Sequence, residues 1–329
     1  MDAVASYVES NLKALKGLLT AEDVNEIVIN PDGLIFVEYS GSTYMEATTD
    51  FALSDEDIRA IGYNLAGETK NTLGEAQPIV SGRVHLFGHD VRVQVVIPPA
   101  IEAGVSISIR KFVNRVLSVD QIGFVAGKPI DVNKQRYDEQ EHLLELASEG
   151  RLPELLKEAI ENKLNILISG GTSSGKTTVA RALLSLTHPD ERIITIEDAV
   201  ELRPENTNKV SLVAERVAGS NRTAARLLES SLRMRPDRLI LGEIRGAEAY
   251  NFLEAINTGH PGSISTIHAD SPALALERMA LMVMQTGVPL TRHDVIEYAS
   301  ATIDMIIQVG RRDGKRGVLE IHMPQLSKQ

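Results

Sequence analysis

The sequence predicts an α/β chain: a domain built on a mostly parallel sheet, preceded by a smaller α+β domain. Three observations lead there. Residues 165–169, Asn-Ile-Leu-Ile-Ser, form an apolar run that opens into the glycine-rich stretch 170–178 and then into a helix-forming pattern. Beyond it, continuously apolar runs alternate with amphipathic stretches, as in a parallel sheet covered on both faces. At 329 residues the chain also exceeds one typical domain.

The elements follow in order. Val4, Val8, Leu12, Leu15 and Leu19 recur three or four apart, which predicts an amphipathic helix over 4–19. Its only lysines are Lys13 and Lys16, so its apolar stripe is expected to pack on its own domain rather than on a membrane. Residues 26–30 and 34–39 read as a hairpin about Pro31-Asp32-Gly33. Ser54 followed by Asp57 predicts an N-cap for a helix through Ile58, Ile61 and Leu65. Strands are expected at 84–87 and 91–97, joined by Gly88-His89-Asp90, and at 105–110 after the Pro98-Pro99 break. This gives an α+β domain over 1–112.

Residues 113–150 are polar, with Gly123, Gly127, Pro129 and a charged run at 134–141, and are expected to be an irregular linker. The second domain, 151–329, opens with a helix at 152–163. Strands follow at 192–196, 238–241 and 263–267, alternating with helices at 222–233, 248–257 and 273–286. One more helix follows Pro289-Leu290-Thr291. Strands 305–309 and 317–321, joined through Asp313-Gly314, are expected to edge the sheet as an antiparallel pair.

Residues 170–178 read Gly170, Gly171, Thr172, Ser173, Ser174, Gly175, Lys176, Thr177, Thr178, a phosphate-binding spacing set between a strand and a helix. The glycines let successive backbone N–H groups face phosphate oxygens at a helix N-terminus. Lys176 is expected on the β and γ phosphates, and the Thr177 hydroxyl suits Mg²⁺, a hard cation that takes few protein oxygens. The expected ligand is ATP with Mg²⁺.

Hydrolysis further needs carboxylates at the carboxyl ends of neighbouring parallel strands. Glu197, in Thr-Ile-Glu-Asp at 195–198, and Glu243, in Gly-Glu-Ile-Arg at 242–245, both qualify as metal or water ligands. His260 and His268 flank a predicted strand, where they are either structural or charge-stabilising groups. They make no zinc site, because no Cys is present, and no nucleophile elbow occurs. Arg222, Arg226, Arg233, Arg235 and Arg238 surround one helix and suit either a solvated face or a neighbouring chain's phosphates.

A net charge of -11 and 4% aromatic residues argue against direct nucleic-acid binding. The absence of Cys fits a reducing compartment, and no apolar run approaches the roughly 20 residues of a membrane span. A cytoplasmic location is expected.

Four blocks in order resemble one family, the secretion and pilus traffic ATPases, hexameric rings that power type II and type IV secretion, conjugation and pilus dynamics. Residues 170–178 resemble its Walker A box, and 195–201 its Asp box. Residues 232–238 and 242–248 resemble its atypical Walker B, in which Glu replaces Asp, and 257–263 with 266–269 its His box. Upstream, Val-Arg-Val-Gln at 91–94 and Ile-Ser-Ile-Arg-Lys at 107–111 are similar to the family's N-terminal domain. Arginines of that domain reach nucleotide phosphates across the interdomain cleft, which implies such a role for Arg92 and Arg110.

The resemblance implies a RecA-like phosphate-loop domain, ATP hydrolysis, a homo-hexamer and inner-membrane secretion-machine partners. Peripheral association with the inner face of the inner membrane would be compatible with it. The type IV secretion branch is the nearest. The type II and pilus-assembly branches often carry a four-cysteine zinc module, and the retraction branch an arginine-containing helix near its C-terminus; neither occurs here. Type II secretion or pilus retraction is the alternative within the family. A nucleotide-switched docking platform and a DNA-translocating motor are the alternatives outside it.

Overall fold

The computed structural model describes residues 7–51, 53–112, 118–217 and 219–326. Val8, Leu12, Leu15 and Leu19 are all buried, so the N-terminal stripe does pack on its own domain. It is not one helix, however. Short helices α1 (Tyr7–Asn11) and α2 (Lys16–Thr20) are joined by a 3-10 turn at Lys13–Leu15. Val4 lies outside the described residues.

Next come strands β1 (Val24–Ile29), β2 (Ile35–Tyr39) and β3 (Glu46–Thr48), helix α3 (Asp55–Glu68), and strands β4 (Ile79–Leu86), β5 (His89–Val96) and β6 (Ser106–Lys111). They form a six-stranded sheet in the order β3-β2-β1-β6-β5-β4, every pairing antiparallel. Ser54 caps α3 in a reciprocal capping box with Asp57, as its spacing predicts. Ile58, Ile61 and Leu65 then meet Ile27, Val93, Val95 and Ile107 in one core. The β4–β5 turn is tighter than expected. Phe87 and Gly88, at φ 47° and 83°, make it alone, and His89 and Asp90 belong to the strand.

The second half contains α4 (Val132–Ser148), α5 (Leu152–Glu161), β7 (Ile166–Ser169), α6 (Lys176–Leu184), β8 (Ile193–Glu197), β9 (Lys209–Val213), α7 (Ala224–Ser231), β10 (Arg238–Ile244), α8 (Glu248–Asn257), β11 (Ile264–Ile267), α9 (Pro272–Met284), α10 (Arg292–Thr302), β12 (Met305–Arg312) and β13 (Lys315–His322). The sheet runs β13-β12-β7-β11-β10-β8-β9 and is parallel except for the β12–β13 pair at its edge. Leu143, Leu155, Ile160 and Leu183 cover one face, and Leu227, Phe252, Met279 and Val295 the other.

The expectation of an irregular stretch at 113–150 fails over α4. Asp131 caps it, and Gln140, Leu143 and Leu146 are buried three apart along its length. Gln140 Nε2 donates to Asp304 Oδ1 at 3.0 Å, and Arg136 pairs with the same carboxylate. The charged run is the outer face of a docked helix.

Polar groups join the two sheets. Arg192 is fully buried and donates to Asn30 Oδ1 at 2.6 Å, to Asn208 Oδ1 and to the Met234 carbonyl at 2.8 Å. Arg235 pairs with Glu38 at 2.7 Å. Val213 N donates to the Ala100 carbonyl at 2.8 Å, while Ala100 and Ile101 join the second core.

Glu26 sits at this junction, 1% exposed, with neither carboxyl oxygen hydrogen-bonded among the described residues and Arg110 Nε 3.8 Å away. Burial pushes its carboxyl up to about 7, against the pull of Arg110, Arg192 and Arg235. A folded-state pKa raised above the unfolded value costs stability progressively as pH rises from about 4.5 to about 7, and fully above that. Glu26→Gln is therefore expected to stabilise the fold by about 1–3 kcal/mol at pH 8, with no gain near pH 4. Urea unfolding at the two pH values measures the difference.

Candidate functional site

Parallel strands deliver their carboxyl ends to one edge of the sheet, and the loop after β7 lies at that edge. Its geometry demands glycine. A Cβ on Gly170 would lie 2.5 Å from the Val309 carbonyl and 2.6 Å from Ser174 Oγ. Gly175, at φ 102°, turns the chain into α6, with Ser173 also left-handed at φ 57°. The loop borders a cavity of about 560 Å³ lined by residues 172–178, Glu197, Asp198, Glu243, Arg245, Thr266 and His268, with Arg216 and Arg316 on its walls.

Lys176 opens α6 and is 9% exposed; its Nζ donates to the Gly170 and Gly171 carbonyls at 3.0 Å each. Burial holds this ammonium below its usual pKa, while Glu243 pulls it back up. His268, just past β11, lies between Lys176 and Glu243. Both ring nitrogens lie near Lys176 Nζ, Nδ1 at 3.3 Å and Nε2 at 3.4 Å, and Nε2 is 3.0 Å from Glu243 Oε1. Burial also lowers the pKa of this imidazole, which favours the neutral ring at pH 7.

The two acids differ in how they are held. Glu197, at the end of β8, accepts the Glu201 and Leu202 backbone N–H groups on Oε1, both at 3.0 Å, and burial raises its pKa. Its Oε2 has no hydrogen-bond partner among the described residues. Glu243 accepts Arg245 Nη2 on Oε2 at 2.5 Å. Burial opposes its ionisation, but the Arg245 hydrogen bond and the charges of His268, Arg245 and Lys176 outweigh burial and lower its pKa. Its Oε1 is buried against His268 Nε2 and makes no hydrogen bond among the described residues. Each carboxylate thus has one oxygen fastened by N–H donors and one that is buried without an aligned donor among the described residues, that of Glu243 lying against His268.

Arg245 lies 3.4 Å from Asp198, and Arg216 pairs with Asp198 at 2.6 Å and with Glu248 at 3.7 Å. Glu248 in turn accepts the Arg245 and Gly246 N–H groups at 2.7 and 3.0 Å. This chain of alternating charge stiffens the wall behind Glu243.

Thr177 is exposed beside Lys176 on the cavity wall. Its hydroxyl and the carboxylates of Glu197 and Glu243 are the hard oxygen donors that would suit Mg²⁺ shared with substrate phosphates. Among the described residues there is no preformed cluster of three acidic or histidine metal ligands, and a cation shared with phosphates needs none.

The structure brings Lys176, Thr177, Glu197, Glu243 and His268 together with the phosphate loop. It does not bring in the other three. His260 precedes β11, at the strand's amino end, where its Nδ1 lies 3.3 Å from the Ala255 carbonyl. Arg92 is on β5 beside Phe112, 5.8 Å from the ring centroid, and lines a separate cleft with Arg226 and Arg233. Arg110 is on β6 beside Glu26. Neither arginine lines the loop cavity of its own chain. Arg216 and Arg316, which do, carried no signal in the sequence.

Comparison with known proteins gives a consistent picture. The type II/IV secretion system protein family matches residues 134–312. The type IV secretion system protein VirB11 of Bartonella quintana is 35% identical, over 96% of this chain and 93% of that protein. The conjugal transfer protein TrbB of Rhizobium radiobacter is 31% identical, over 91% of this chain and 83% of its own length. Among solved structures, the VirB11 ATPase of the Brucella suis type IV secretion system, in complex with sulphate, superposes with a TM-score of 0.86 at 30% identity, covering 99% of this chain and 98% of that one.

Proposed function

Because the chain belongs to the type II/IV secretion system protein family, we propose that it is a Mg²⁺-dependent ATPase of the type IV secretion branch, working as a ring on membrane-bound partners. The observation that carries this reading is the convergence of Lys176, His268 and Glu243 beside the phosphate loop, on the wall of one cavity.

Each side chain has a part in that chemistry. Backbone N–H groups of residues 171–177 cradle the phosphates, and Lys176 moves from the loop carbonyls onto the β and γ oxygens. Glu243, ionised at neutral pH and braced by Arg245, orients the attacking water. His268 fixes the spacing between that carboxylate and Lys176. Thr177 and Glu197 would hold Mg²⁺, which would neutralise developing phosphate charge.

Arg92 and Arg110, remote from the cavity of their own chain, would serve the site of an adjacent chain, supplying charge stabilisation as an arginine finger does. His260 keeps a structural part here. Residues 1–112 and 151–329 act as the two domains, and residues 113–150 connect them with α4 lodged on the second. Among the described residues no helix is long and apolar enough to cross a membrane, which suits a cytoplasmic or peripheral station beneath the secretion machine. The direct test is Mg²⁺-dependent ATP turnover by the whole chain, with Lys176→Ala as the blank.

A further inference from the structure

Four cations crowd the tip of the β12–β13 hairpin. A two-residue turn at Asp313 and Gly314, both at positive φ (52° and 78°), sets the register. That register puts Arg311 opposite Arg316, and Arg312 opposite Lys315. Like charges facing each other across an antiparallel pair destabilise it. Local counter-charge is thin. Arg312 Nε sits 3.9 Å from Asp313 Oδ2, with both side chains exposed, and the Arg316 side chain has no hydrogen bond or ion pair among the described residues.

The root of this hairpin is fastened to the phosphate loop. β12 pairs with β7 through Gln308 and Ser169, and the Val309 carbonyl occupies the space a Cβ on Gly170 would need. From that root the returning strand carries Arg316 to the wall of the cavity that holds Lys176. The other two guanidiniums there, Arg216 and Arg245, are committed to Asp198 and Glu243. Arg316 is left without a carboxylate.

We propose that Arg316 is a nucleotide-binding residue: the edge hairpin delivers it to the phosphate chain of a nucleoside triphosphate seated on the loop of the same chain. The anion supplies the counter-charge that the Arg311–Arg316 pair lacks, so ligand affinity and hairpin order are linked. This inference rests on the reading of the cavity as a nucleotide site. An acidic surface on a second copy of the chain is the competing occupant.

The test is binding of a fluorescent, non-hydrolysable ATP analogue with Mg²⁺, at concentrations where sizing shows a single species. Arg316→Ala is expected to weaken binding about tenfold, the loss of one charge-assisted contact. Arg316→Lys should recover part of it, and Arg312→Ala should bind as wild type does. Without nucleotide, Arg316→Ala should melt no lower than wild type, because its removal relieves a repulsion.

Wild-type affinity in Arg316→Ala, with binding lost in Lys176→Ala, overturns the inference and leaves the phosphate-loop reading standing. So does an equal loss in Arg312→Ala, which would mean diffuse charge, or a changed assembly state at unchanged affinity, which would assign the cations to a subunit contact. Undiminished binding in Lys176→Ala overturns the cavity reading itself.

Discussion

Lys176→Ala is expected to lower Mg²⁺-dependent ATP turnover by at least about a hundred- to a thousand-fold, to the level of background phosphate release. Phosphoryl transfer draws its catalysis from positioning and charge rather than covalent chemistry, so the cation nearest the transferred group carries an outsized share. Lys176 is well placed for this. Its ammonium is buried, donates to two loop carbonyls and touches His268, whose Nε2 lies 3.0 Å from the Glu243 carboxylate. The fold should survive the change. Gly170 and Gly175 set the loop's shape by their own backbone geometry rather than through the Lys176 side chain. Circular dichroism and sizing on the variant separate a dead site from a lost fold.

Glu243→Gln is expected to lower turnover about a hundred- to a thousand-fold while leaving ATP-analogue affinity within a few-fold of wild type, because orienting water acts on the transition state rather than on ground-state binding. The amide keeps the volume and one acceptor but loses the charge that Arg245, His268 and Lys176 gather around. Glu197→Gln should behave differently. Its fastened oxygen holds the Glu201 and Leu202 backbone, so substitution should weaken Mg²⁺-dependent affinity as well as rate, visible as a rise in the Mg²⁺ concentration for half-maximal turnover. Equal kinetic behaviour of the two variants would remove the distinction drawn between the acids. Full secretion by a chain carrying Glu243→Gln would favour the docking platform over the motor.

How much of this was legible in the sequence depended on whether the signal was local. The phosphate loop was, because its spacing and its strand and helix flanks all lie within about a dozen consecutive residues. The capping box of α3 and the closing β12–β13 pair were legible for the same reason. Helix α4 was hidden because a run rich in charge masks three buried positions, and what they pack against, Asp304 among others, lies far along the chain. Strand β9 was missed because only Val210 and Leu212 of its five residues are buried, too short a pattern to register.

The histidines show what strand direction adds. His260 and His268 bracket one strand, and only the one at the carboxyl end of a parallel strand can meet the loop. The arginines show the limit. Arg216 and Arg316 reach the cavity through tertiary pairing alone, and Arg92 and Arg110 lie away from it, on the other sheet of the same chain.

That last placement makes a mixing experiment the most direct test of the central claim, that ATP is turned over at a site completed by a second chain. ATP turnover is measured for Lys176→Ala, for the double variant Arg92→Ala/Arg110→Ala, and for the two mixed and allowed to exchange. The account predicts two inactive proteins whose mixture regains turnover, since one chain brings an intact phosphate loop and the other intact arginines. Full activity in the double arginine variant alone, or a mixture as inactive as its parts despite verified co-assembly, would contradict it.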